Sequence, residues 1–157
     1  MKDNKNIEFL NSIYQICEMG VIGINDVIDK VSKSNFRDFL ENQRQEYDEI
    51  VNESENIFAS YGAKEKELGK MVKMNSKIMS EVKLMKNKDD YEIAKMMAEG
   101  TTKGIEKLES AMNSYNESDE EAYKLAEKLL ASLKLFINDI ASALVIDCPD
   151  LVSIIVF

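Results

Sequence analysis

Apolar residues recur every three or four positions through Leu10, Ile13, Tyr14, Cys17, Val21, Ile24, Val27, Ile28 and Val31. That spacing gathers them on one face of a helix, predicted over about residues 7–32. A second stripe, Phe36, Phe39, Leu40, Gln43, Tyr47, Ile50, Ile57 and Phe58, predicts a helix over 35–61. Ser34 or Asn35 is placed to cap its start, Asp38 sits near the positive end of its dipole, and Gly62 suits the residue just past its end. The joint between these two helices is short, which makes them antiparallel neighbours. Met71, Met74, Ile78, Val82 and Met85 keep helical spacing and predict a crossing helix over about 65–85. Ile93, Met97, Thr101, Ile105, Leu108, Met112 and Tyr115 predict a helix over 89–115, with Asp89 and Asp90 at its N-terminus. Ser118 followed by Glu120 and Glu121 resembles a capping box, and Ala122, Ala126, Leu129, Leu133, Phe136 and Ile140 predict a last helix over 119–145.

The two halves echo each other. Glu18 is followed five and six residues on by Gly23-Ile24, and Glu99 likewise by Gly104-Ile105; Glu46 and Glu127 in the next helix of each half keep the same 81-residue separation. A helical hairpin used twice accounts for this. Gly20 and Gly23 each cost a helix interior about 0.8–1 kcal/mol relative to Ala, so a neighbouring helix backbone is expected to approach there, and the same holds for Gly104. After the turn at Asp147-Cys148-Pro149-Asp150, residues 151–157 form a short apolar tail, Leu-Val-Ser-Ile-Ile-Val-Phe. It is too short to span a bilayer and is expected to dock, across a homodimer contact in preference to its own bundle.

Composition narrows the function. The chain has 157 residues, one domain's worth, and 29 acidic against 20 basic residues leave a net charge of −9 that repels a phosphate backbone. Nucleic acid is not expected as a partner. Residues 64–88 run against the trend, with eight lysines facing three glutamates beside a methionine stripe. That segment reads either as a cover helix on an acidic bundle or as a basic surface for a peripheral membrane or protein partner. No run approaches the ~18 apolar residues of a membrane span, and Met1 to Asn6 carry no export signal, so a cytoplasmic protein is expected. Two cysteines build no disulfide framework, and the absence of His removes His-based triads and metal sites.

Two hairpins, a long crossing connection and one Glu beside the stripe of each long helix resemble the ferritin-like superfamily of rubrerythrins and bacterioferritins. Within it the chain is similar to bacterial bundle proteins whose first and third helices carry Met-Gly and Glu-Gly elements. The resemblance covers about residues 7–145 and implies an all-α, antiparallel ferritin-like four-helix bundle with a fifth, crossover helix. It also implies a di-metal centre of iron or manganese, with one Glu from each of two helices and Glu-x-x-His from each of the other two. Glu18 and Glu99 match the single carboxylates, and Glu46 and Glu127 open the other two motifs. Glu49 and Leu130 stand at the His positions. Glu49 can bind a hard cation, whereas Leu130 has no donor atom. The expectation is therefore a non-catalytic scaffold or interaction protein with a degenerate metal site at Glu18, Glu46, Glu49, Glu99 and Glu127, and with no cofactor. Its rival is a carboxylate-bridged metal-binding or oxidase-like protein.

Overall fold

In a computed structural model, residues 2–62, 89–115 and 119–144 are described, and nearly all of them are helical. Helix α1 covers Lys2–Val27 and tightens into a 3-10 turn at Ile28–Lys30. Helix α2 covers Ser34–Ser60, α3 covers Asp90–Ser114 and α4 covers Glu120–Leu144. No strand occurs among the described residues. The crossing helix expected over 65–85 and the tail 151–157 lie outside the described residues.

The ends of the helices show where local chemistry sufficed and where it did not. Asp89 caps α3, its carboxylate accepting the Glu92 N–H at 2.9 Å, and Asp119 does the same for Ala122 at the start of α4. Gly62 has φ +69, the left-handed conformation expected just past α2. Neither Ser34 nor Asn35 caps α2. Its N-cap is Lys33, which makes no side-chain cap, and Asn35 Oδ1 accepts only from the adjacent Phe36 N–H. The open N–H groups of the turn are taken from another helix: those of Ser32 and Lys33 donate to Asp90 Oδ1 and Oδ2, both at 2.8 Å. α1 begins five residues before the start expected at about residue 7, and there Asn6 is buried and accepts a hydrogen bond from the Tyr115 hydroxyl. A polar turn is thus held in helix by a contact 109 residues away.

α1 packs against α2 and α3, α4 packs against the same two, and α1 approaches α4 across the centre. Contacts are ordered along the helices. Asn6 and Phe9 meet Tyr115, Gln15 meets Lys107, Ile16 meets Gly104, and the turn after α1 meets Asp90. On the other side Gln43 meets Ser132, Glu53 meets Lys128, and Tyr61 meets Asp119. The interior is filled by Phe36, Phe136, Leu10, Ile13, Leu129 and Leu133 among others, each almost completely buried.

Candidate functional site

Halfway along α2 the apolar stripe carries two residues with polar tips, Gln43 and Tyr47, one helical turn apart and 5% and 3% exposed. From α4, Ser132 faces them at 9% exposure. Gln43 Nε2 donates to Ser132 Oγ at 3.0 Å, and Ser132 Oγ donates in turn to the carboxylate of Glu46, which is exposed. The chain of hydrogen bonds therefore starts in the core and ends at the surface. Every buried group in it is partnered, as the low dielectric demands.

On the opposite side of Tyr47 lies Gly20 of α1. A Cβ at Gly20 would stand 2.3 Å from Tyr47 Cε2, so the ring occupies the space that any side chain at position 20 would need. The close approach expected at this glycine is real, but its partner is a tyrosine ring and not a helix backbone. At Gly23 a Cβ would meet nothing within 4 Å, so the close contact expected there is absent. At Gly104 it would make ordinary contact with Ile16 Cγ2 at 3.5 Å and Leu133 Cδ1 at 4.0 Å.

Burial shifts several titratable groups around this layer toward their neutral forms. Burial pushes the Tyr47 phenol up, Cys17 and Glu46 add to the rise, and a hydrogen bond from Gln43 opposes it. Cys17 is fully buried, and burial, then Glu18 and Asp48, raise its thiol far from the thiolate a nucleophile needs. Glu18 is raised by burial first and then by Asp48 and Glu55 across the α1–α2 seam. Asp139 on α4 is raised by burial and by Glu46.

Of the five glutamates matched to the ferritin-like centre, Glu18 is half-buried, while Glu46, Glu49, Glu99 and Glu127 are exposed. Glu46 is engaged by Ser132, and Leu130 packs partly buried against the apolar core. Among the described residues no group of three or more His, Cys, Asp or Glu side chains could hold a metal ion. Gln43, Tyr47 and Ser132 form the polar layer instead. Only Gln43 left a trace in the pattern, as an amide inside an apolar stripe; Ser132 reads as an ordinary small residue.

The model of the family described as Domain of unknown function (DUF2383) matches residues 5–114. The chain belongs to that family. The match spans α1, α2 and α3 and stops at Ser114, the last residue of α3, so α4 and its Ser132 lie beyond it. No curated protein and no solved structure matches the chain. Among the described residues no helix is long and apolar enough to cross a membrane.

Proposed function

We propose that this DUF2383 chain is a non-catalytic helical scaffold, an antiparallel ferritin-like bundle whose ancestral carboxylate positions no longer serve a metal. The observation that carries the reading is the middle of the bundle, where a ferritin-like centre needs ligands. There the buried Gln43 side chain bonds to Ser132 and to Tyr47, and the carboxylates of Glu49, Glu99 and Glu127 are exposed. A bridged metal pair needs carboxylates that converge in the core, and Leu130 supplies no donor. The donor set does not fit such a pair. The opposed order of contacts, Asn6 with Tyr115 but Ser32 with Asp90, supports the antiparallel arrangement.

The scaffold is cytoplasmic and self-associates through the apolar residues 151–157. Elemental analysis of protein purified without chelator tests the reading. No stoichiometric iron or manganese is expected. A bound metal pair that is lost on Glu18→Ala and on Glu127→Ala establishes the oxidase-like rival and removes the scaffold. Self-association is tested separately by light scattering on protein truncated after Asp147. Its mass falls to that of one chain if the tail is the contact and is unchanged if it is not.

A further inference from the structure

We infer that the layer of Gly20, Tyr47, Gln43 and Ser132 is a register key, which holds α2 at one axial position between α1 and α4. Around it the interior faces are built of Leu, Ile, Val, Ala and Phe. Such faces accept a neighbour displaced by one helical turn, about 5.4 Å, because similar apolar side chains replace the ones left behind. The layer does not tolerate that displacement. One turn along α4, the Gln43 amide would face Leu129 or Phe136, both buried, and both the amide and the Ser132 hydroxyl would lose their partner for this bond without regaining water. One turn along α1 toward its start, the Tyr47 ring would meet Cys17 or Ile16, both buried, where it now fills the gap left by Gly20; toward the end of α1 Gly23 leaves space, and there the Gln43–Ser132 bond alone sets the register.

Among the described residues, Asn6, bonded to Tyr115, ties α1 to α3 and leaves α2 free, and the two remaining buried polar residues, Ser54 and Thr101, fix no helix against another. The Ser54 hydroxyl donates to Val51 O and the Thr101 hydroxyl to Met97 O, both at 2.7 Å and both within their own helix. Those bonds travel with the helix and carry no information about its position. Gln43 and Ser132 are buried side chains of different helices, 89 residues apart, so their bond exists in one register only. Glu46 completes the device. By accepting the Ser132 hydroxyl's hydrogen bond at the exposed rim it orients the hydroxyl so that a lone pair receives the Gln43 amide. A single buried polar contact that selects one alignment of apolar helices does so at some expense of stability.

Spin labels report the register directly. In the full chain with Cys148→Ser and Cys17 left buried, nitroxides are placed at Asp38→Cys on α2 and Lys124→Cys on α4, both exposed positions. With the layer intact, a single interlabel distance is expected. In the near-isosteric Gln43→Met/Ser132→Ala background, a second population appears, displaced by about 5 Å, the rise of one turn. Helix content is retained and the melting temperature is equal or higher. Ser132→Thr, which keeps the hydroxyl, restores the single distance. A folded Gln43→Met/Ser132→Ala protein with the single native distance overturns the proposal. So does loss of helix content in that variant, because the layer would then be a requirement for folding and not a selector among registers.

Discussion

Gly20 and Gly104 occupy helix interiors and both face neighbouring helices, yet the space beyond them differs by more than an ångström. Adding a methyl at Gly20 drives it into a Tyr47 ring that is itself buried, and overpacking of that kind costs about 1–3 kcal/mol. The helix propensity gained from Ala, about 0.8–1 kcal/mol, does not offset it. Gly20→Ala is therefore expected to lower stability in urea titration. Gly104→Ala finds ordinary contact distances and keeps the propensity gain, so it is expected to raise stability by up to about 1 kcal/mol. Glu18 gives the pH dependence its sign. Its carboxyl titrates higher in the folded protein than in the unfolded chain, so the fold pays for its ionised form at neutral pH and recovers as pH falls through the folded value. Glu18→Gln should raise the melting temperature at neutral pH. The advantage should disappear in acid, below the carboxyl's unfolded value, where both proteins are neutral at this position.

Adjacent aspartates at the start of α3 do different jobs for different helices. Asp89 caps its own helix, while Asp90, already inside the first turn, reaches the turn between α1 and α2. Two charge-assisted bonds to backbone N–H groups hold that turn, and hydrogen bonds to charged groups contribute about 1.5–3 kcal/mol each at best. The partly exposed setting puts the loss for Asp90→Ala nearer about 1–2 kcal/mol in total. Amide exchange separates the two roles. Asp90→Ala should speed exchange at Ser32 and Lys33, and Asp89→Ala should fray only the first turn of α3, at about 0.5–2 kcal/mol.

Across the molecule, α1 and α2 are tied to α3 and α4 at both ends and in the middle. At one end Tyr61 donates to Asp119, Tyr115 donates to Asn6, and the Phe9 ring stacks on Tyr115 with centroids 4.0 Å apart. The Asp90 clamp closes the other end. Deleting residues 1–6 is consequently expected to destabilise the whole bundle, although those residues contain almost no apolar surface. The measurement is the melting temperature by circular dichroism. Unchanged melting on deletion would show that the Asn6 contact contributes nothing.

The sequence by itself determined the four described helices, the faces they bury, the acidic start of α3 at Asp89 and Asp90 and the Gly62 stop, because each depends on residues within a turn or two of one another. It also pointed to Gln43 as an amide out of place in an apolar stripe. The internal repeat misled at the level of contact. It pairs Gly23 with Gly104, whereas the tight approach is at Gly20, whose counterpart 81 residues on is Thr101, bonded to its own helix. Which glycine faces a ring, which aspartate reaches a distant turn and which serine receives Gln43 depend on the rotation and axial position of one helix against another. Those are set by packing between residues 27 to 109 positions apart, beyond anything local spacing encodes. Only the tertiary structure could therefore bring Gly20, Tyr47, Gln43 and Ser132 into one layer.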